Sequence, residues 1–215
     1  SGVGIDPTNP ATYLNNLAKS GTYVPGGSNS SSNNGSSSTN SKVNTWLSQQ
    51  GIEVSTLAPK QVSLMEGIYG RLGTPYKACR HSKGCDGYCY DSNNPSHLDA
   101  ATFIWRSFYD ADMKINACRD LEKDGHFSRV AWKARKPGDV LVTFGEKKAH
   151  AMFYLKDKGN TLTVAEATAG KESKVTDLAR GTTIYANKSG SKNTVHYGKK
   201  GGKKYVLLRY NGITN

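Results

Sequence analysis

The stretch HLDAATFIWRSFYDA, residues 97–111, contains the helix start on which the rest of the fold depends. Asp99 is a typical N-cap residue, because its carboxylate can accept a hydrogen bond from a backbone N–H of the first helical turn. Ala100 or Ala101, Ile104 and Phe108 then recur at the spacing of a single helix face. The stretch therefore predicts a helix that starts at Asp99 and buries this face.

A second helix and a series of short strands flank this stretch. The run LAPKQVSLMEGIYGRL (57–72) has apolar residues at helical spacing, and Gly73 ends it. From Val140 onward the apolar period becomes two, in the runs DVLVTF, HAMFYL, TLTVAEA, TTIYA and KYVLLRY. Helices followed by strands predict an α+β fold, with N-terminal helices packed on a mostly antiparallel sheet.

The N-terminal part of the chain has a composition of its own. The segment GGSNSSSNNGSSSTNS (26–41) contains no apolar side chain, so it is predicted to be a flexible tether. We divide the chain into residues 1–42, which hold this N-terminal segment and tether, and residues 43–215, which form one globular domain. A tether of this kind suggests a module of a larger protein.

The chain is strongly basic, with 29 Lys and Arg against 17 Asp and Glu and a formal net charge of +12. This charge favours anionic partners such as nucleic acid, acidic lipid or an anionic cell-wall polymer. Nucleic acid has only the charge in its favour, since no groove-reading motif accompanies it, and we predict no such partner. No apolar run reaches the roughly 18 residues of a transmembrane helix, so we expect no membrane span.

The run HAMFYLKDKGNTLTVAEA predicts a hairpin of two strands. With a loop at 156–160, Tyr154 faces Leu162. Continuing outward, His150 lies directly opposite Glu166. Opposed residues have Cβ atoms about 4.5–5.5 Å apart, which lets a carboxylate bond an imidazole nitrogen. The pair is either a surface ion pair or, if a nucleophile lies nearby, part of a catalytic site.

An even number of cysteines suggests two disulfides, with three possible connectivities, that fix the loop at 74–96. The alternative is a metal site that includes His81. The spacing C-x5-C-x3-C is not a usual zinc pattern, so we expect no metal and no cofactor. The candidate disulfide residues are Cys79, Cys85, Cys89 and Cys118.

The order of these features resembles the NlpC/P60 peptidases, papain-like cysteine enzymes that cut the stem peptides of bacterial peptidoglycan. That family has a Gly-x-Pro-Tyr segment, an Asp-Cys-Ser helix start, a Pro-Gly-Asp strand start and a histidine at the head of the next strand. Here the matching features are GTPY (73–76), LDAATFIW (98–105), KPGDVLVTF (136–144) and His150. The resemblance spans residues 60–167 and implies a papain-like NlpC/P60 fold.

Under this resemblance Ala100 stands at the position of the catalytic cysteine. His150 matches the catalytic histidine, and Glu166 falls where the third, orienting residue belongs. The chemistry needs a thiolate, and a helix N-terminus beside an imidazolium lowers the pKa of a thiol. Tyr76 is expected beside the nucleophile. The remaining residues expected at the substrate cleft are Asp99, Ala101 and His97.

The resemblance implies a peptidoglycan hydrolase, a cysteine endopeptidase with a Cys-His-Glu mechanism that is inactive here because residue 100 is alanine. Either a cysteine was replaced, which the apparently intact supporting residues favour, or the chain is a pseudoenzyme that binds the cell wall. The related CHAP enzymes use Cys, His and Glu, and a CHAP-type N-acetylmuramoyl-L-alanine amidase or cross-bridge endopeptidase is a further alternative. The expected partners are peptidoglycan and anionic wall polymers. The expected setting is a larger lytic protein that is secreted or delivered to the wall by a phage or conjugation apparatus.

Overall fold

The computed structural model describes residues 37–79, 88–118, 120–143, 149–179, 194–196 and 204–213. Its helices are α1 (Ser37–Gln49), α2 (Pro59–Arg71), α3 (Tyr88–Asp91) and α4 (Ala100–Asp110). Its strands are β1 (Phe127–Arg129), β2 (Val140–Thr143), β3 (Ala151–Asp157), β4 (Thr161–Ala167), β5 (Ser173–Ala179), β6 (Thr194–His196) and β7 (Lys204–Tyr210). Short 3-10 turns occur at Val54–Thr56, Leu121–Lys123 and Trp132–Ala134.

The strands form one antiparallel sheet in the order β1-β7-β2-β3-β4-β5, and β6 pairs with β7 beside β1. The predicted α+β fold with a mostly antiparallel sheet is therefore confirmed. The run TTIYA lies outside the described residues, whereas β5 was not predicted. None of the described helices has the length and apolarity that a bilayer crossing requires.

Both faces of the sheet are apolar. Phe103 and Phe108 of α4 meet Phe153 of β3, with ring centroids 5.8 and 5.6 Å apart, so this helix covers one face. On the other face Met152 and Tyr154 belong to a second cluster of buried side chains. Because successive residues of a strand point to opposite faces, β3 can contribute to both clusters. The predicted helix face of Ile104 and Phe108 is buried, as expected.

Two glycines bring the helices and the sheet close together. A Cβ at Gly67 of α2 would overlap the Ser107 carbonyl oxygen of α4, so the two helices cross in direct backbone contact there. Gly138, in the Pro-Gly-Asp turn before β2, has a φ of +93° and packs against Leu64 and Met65 of α2. A side chain at either position would separate elements that the core requires in contact.

The Pro-Gly-Asp turn is also fixed by polar contacts. The Asp139 carboxylate accepts two hydrogen bonds of 2.8 Å from the guanidinium of Arg209 in β7. Burial raises the pKa of Asp139, and the bonds from Arg209 oppose that rise. The Pro137 carbonyl accepts a hydrogen bond from the Gln61 side chain of α2. The motif therefore holds the start of β2 against both a helix and a neighbouring strand.

Helix α1 begins at Ser37, inside the segment predicted as a tether and before the predicted domain start at residue 43. Its apolar side chains pack on the domain, where Trp46 lies 5.4 Å from the ring of Tyr69. Val43 and Leu47 are also buried. Residues 1–36, which hold the rest of that segment, lie outside the described residues.

The register of the β3–β4 hairpin differs from the prediction. Tyr154 pairs with Val164, not with Leu162, because Asp157 pairs with Leu162 and the loop between the paired residues is therefore 158–161. A bulge just beyond Tyr154 takes up one further residue of β3. Hairpin loops of four residues are common, and the expected five-residue loop at 156–160 was one residue too long and lay too early in the chain.

Candidate active site

The start of α4 is fixed by the side chain of Asp99. One carboxylate oxygen accepts hydrogen bonds from the backbone N–H and the hydroxyl of Thr102, at 2.9 and 2.8 Å. The Thr102 hydroxyl also accepts from the Asp99 N–H at 2.8 Å, which completes a reciprocal cap. The other carboxylate oxygen accepts from the Cys79 N–H at 2.9 Å. Asp99 is therefore the predicted cap, and it also ties the preceding loop to the helix.

A disulfide between Cys79 and Cys89 closes the loop before α4. Cys118 is also disulfide-bonded, and Cys85 lies outside the described residues. The side chains of Cys79, Cys89 and His97 come close enough to suggest a metal site. Because both sulfur atoms are in a disulfide, they offer no thiolate ligand, and this cluster is structural.

His150 and Glu166 form the contact that the sequence predicted. His150 Nε2 lies 2.7 Å from Glu166 Oε2, and the Glu166 side chain is buried. In the observed register Glu166 comes opposite Met152, so His150 is its diagonal neighbour rather than its direct partner. The predicted and observed registers differ by two residues. Because this is an even number, the side chains of His150 and Glu166 remain on the same face of the sheet. Long side chains can meet across a diagonal of about 7–8 Å.

The backbone around His150 is held by β2. The His150 N–H donates to the Thr143 hydroxyl, and the His150 carbonyl accepts from the Thr143 N–H, both at 2.9 Å. Within the described part of the chain, Nδ1 of His150 has no hydrogen-bond partner. The imidazole is thus anchored through Nε2, and Nδ1 is left for another group.

Ala100 and His150 line the same cleft, which has a volume of about 690 Å³. The helix start and the strand histidine therefore border the same cleft, although fifty positions of sequence separate them. Three other residues expected at the cleft also line it: Tyr76, Asp99 and Ala101. Glu166 lies behind His150 and is not part of the cleft lining.

His97, which was expected at the substrate cleft, does not line it. Its ring stacks on Tyr88, with centroids 5.3 Å apart and an angle of 17° between the planes, and Nδ1 lies 3.2 Å from the Ser96 hydroxyl. The side chain is not among those that line the cleft. Its stacking partner, Tyr88, is half exposed, so the pair lies on the loop surface.

Two aromatic residues of the cleft, Tyr90 and Trp105, were missed by the sequence analysis. Trp105 lies in α4 next to Ile104 of the apolar face, and Tyr90 lies in the short helix α3 within the loop at 74–96. The two rings meet edge to face at 5.0 Å. Burial, followed by the negative charge of Asp99, raises the pKa of Tyr90 to about 12, so its hydroxyl is neutral at ordinary pH.

A buried arginine explains how the loop residue Tyr90 reaches the cleft. The Arg106 guanidinium donates hydrogen bonds to the carbonyl oxygens of Cys89, Tyr90 and Ser92. Burial, together with the nearby charge of Arg71, lowers the pKa of Arg106 to about 10. The sequence offered a signal in this arginine, since a charged residue between the apolar side chains of Trp105 and Phe108 needs partners if it is buried.

The chain matches no known sequence family and no curated protein. Among the solved structures that match, the three described here each cover 80% of this chain with a TM-score of 0.42. The peptidoglycan hydrolase RipB from Mycobacterium tuberculosis is 14% identical, with 81% of that chain covered. A hypothetical invasion protein of Mycobacterium tuberculosis is also 14% identical, with 82% covered. The Resuscitation Promoting Factor Interacting protein RipA is 15% identical, with 82% covered.

Proposed function

We propose that this chain is a peptidoglycan hydrolase of the NlpC/P60 type whose nucleophile position carries alanine. The observation that supports this most is the shared cleft of Ala100 and His150, in which Ala100 follows a capped helix start and His150 is bonded to Glu166. Motifs that resemble the NlpC/P60 pattern contribute both halves of this cleft. The substrate class, bacterial peptidoglycan, follows from the same resemblance.

A cysteine at position 100 would be activated by its surroundings. The unpaired N–H groups of the α4 N-terminus and a protonated His150 both stabilise a thiolate. Because Glu166 binds Nε2, Nδ1 is the atom of His150 that would take the thiol proton. The thiolate then attacks the peptide carbonyl carbon, the C–N bond breaks, and His150 returns the proton to the leaving amine. Water hydrolyses the resulting thioester.

Alanine at position 100 cannot perform these steps, because a methyl group has no lone pair. We therefore expect the chain with Ala100 to bind wall peptides without cutting them. The intact His150–Glu166 pair favours a replaced cysteine over a natural binding protein, since a binder has no need of an oriented imidazole. We propose that the protein acts at the cell wall, as a module of a larger lytic protein.

An amidase is the second candidate. Its support is the identity of the residue that orients His150, because a Cys-His-Glu set is typical of the CHAP amidases and Glu166 holds that place. The two activities differ in the bond that is cut. An endopeptidase cuts within the stem peptide or its cross-bridge, whereas an amidase releases whole stems from the glycan.

The test is to restore the cysteine with Ala100→Cys, digest purified sacculi, and measure the masses of the released fragments. Fragments of stem peptides would identify an endopeptidase, and whole stems an amidase. The matched control is Ala101→Cys, which places a thiol in the same cleft one residue further along α4. A second control, Ala100→Cys with His150→Ala, removes the base.

Alkylation provides a measurement that does not depend on the choice of substrate. The thiol of Ala100→Cys should react with iodoacetamide at a lower pH than the thiol of Ala101→Cys, because only the former would lie beside Nδ1. The hydrolase proposal is wrong if Ala100→Cys releases nothing from sacculi and its thiol titrates like that of the neighbouring control.

A further inference from the structure

An aromatic surface continues from the cleft onto the exposed side of α4. It consists of Tyr90, Trp105 and Tyr109, here called the aromatic shelf. Tyr90 and Trp105 line the cleft, and the Trp105 ring stacks on Tyr109 with centroids 5.0 Å apart and an angle of 21° between the planes. Tyr109 is 39% exposed, one of two large apolar side chains on the described surface with that much exposure.

The shelf is held rigidly from beneath. The Arg106 guanidinium lies 5.0 Å from the centre of the Trp105 ring and 5.1 Å from that of Tyr109, while its own side chain is buried. The same guanidinium binds the carbonyl oxygen of Tyr90. The guanidinium thus contacts two of the rings and holds the backbone of the third residue, Tyr90, whose ring packs edge to face on Trp105. Rigid rings lose little side-chain entropy when a ligand binds.

The charges around the cleft decide which kind of ligand suits this shelf. The described residues that line the cleft include three carboxylates and no lysine or arginine. One of these carboxylates, Glu122, is paired with Arg129. Although the whole chain carries a charge of +12, the cleft itself therefore disfavours an anionic polymer. A neutral ligand with one apolar face fits both the charge and the rings.

We propose that the aromatic shelf binds a neutral sugar ring of the glycan to which the stem peptide is attached. A pyranose presents a face of C–H groups that packs on aromatic rings, and its hydroxyls need a few polar partners. Asn116 and Asp120 line the same cleft and could provide them. The inference rests on the proposed function and deepens it, because it makes glycan-linked peptide, rather than free peptide, the preferred ligand.

The test uses the chain with Ala100 and measures binding by titration calorimetry to a disaccharide-tetrapeptide and to the same tetrapeptide alone. We expect the disaccharide-linked peptide to bind about tenfold more tightly, the effect of one good aromatic contact. Tyr109→Ala should bring the two affinities to within about threefold of each other. The matched control is Tyr88→Ala, which removes the other exposed tyrosine, outside the cleft, and should leave the preference unchanged.

Trp105→Leu, with its fold checked by circular dichroism, provides a second variant within the cleft and should also remove the preference. Equal affinity for the two ligands, or equal effects of Tyr109→Ala and Tyr88→Ala, would overturn the shelf proposal even if Ala100→Cys digests sacculi. A glycan preference that depends on Tyr109, together with no digestion by Ala100→Cys and a thiol that titrates like that of Ala101→Cys, would instead overturn the hydrolase and retain the shelf.

Discussion

Replacement of Asp99 by alanine should destabilise the protein by an amount that can be worked out from its contacts. Loss of an N-cap costs about 1 kcal/mol, with a range of about 0.5–2 kcal/mol. The variant also leaves the buried Cys79 N–H without its acceptor, which costs about 1–3 kcal/mol more. A total of about 3 kcal/mol corresponds to a fall in Tm of about 6–12 °C for a domain of this size.

The assay is thermal unfolding followed by circular dichroism, with urea unfolding to measure the free energy directly. Asp120→Ala is the matched control, because Asp120 is also an N-cap residue but is exposed. As a cap, its side chain accepts one hydrogen bond, from the Glu122 N–H at 3.1 Å. Its loss should cost about 0.5 kcal/mol, the low end of the range for an N-cap, because the turn is short and Asp120 is exposed. If Asp99→Ala and Asp120→Ala lower the free energy of unfolding by the same amount, the contact of Asp99 with the Cys79 N–H does not stabilise the protein and this prediction is wrong.

Two further predictions concern the core and the cleft. Gly67→Ala should lower the free energy of unfolding in urea by more than about 2 kcal/mol, because its methyl group would overlap the Ser107 carbonyl. The control is Gly125→Ala, whose methyl group meets nothing within 4 Å and should change stability by under about 0.5 kcal/mol. Similar losses in the two variants would show that the helix contact is not tight. The pKa of Tyr90 is raised from 10.0 to about 12, so the stability it contributes is complete below pH 10 and is lost as the pH rises through 12. Tyr90→Phe should therefore resist alkaline unfolding better than the unchanged chain, and a phenol absorbance titration that assigns Tyr90 its ordinary pKa would refute this.

The helix start was predictable because its causes are local. An Asp before two alanines and an apolar stripe specifies a cap, and the structure shows Asp99 capping α4 with Ile104 and Phe108 buried. The cap's second contact, from the Cys79 N–H, was not predictable. This contact depends on where a loop with few apolar residues approaches the start of α4. The spacing of apolar residues in the sequence carries no information about that position.

The hairpin shows how a partly wrong prediction can still place a site. The length of the turn could not be read from the sequence, since LKDKGNT allows several loops, and the predicted register was displaced. The predicted and the observed register differ by two residues, and both place His150 and Glu166 on one face of the sheet. A side-chain contact on one face survives any even displacement that the side chains can span. Strand β5 could not be predicted, because SKVTDLA lies at the sheet edge with only partial burial.

The two halves of the candidate site are held by separate sets of contacts. The helix start depends on Asp99, Thr102 and the disulfide-closed loop, whereas His150 depends on Glu166 and Thr143. Neither set includes the side chain of residue 100. A thiol at that position therefore adds one sulfur atom to a cleft that is already formed, without removing any contact that forms it. Failure of Ala100→Cys to gain activity would then count against the chemistry and not against the fold, which makes the substitution a decisive test.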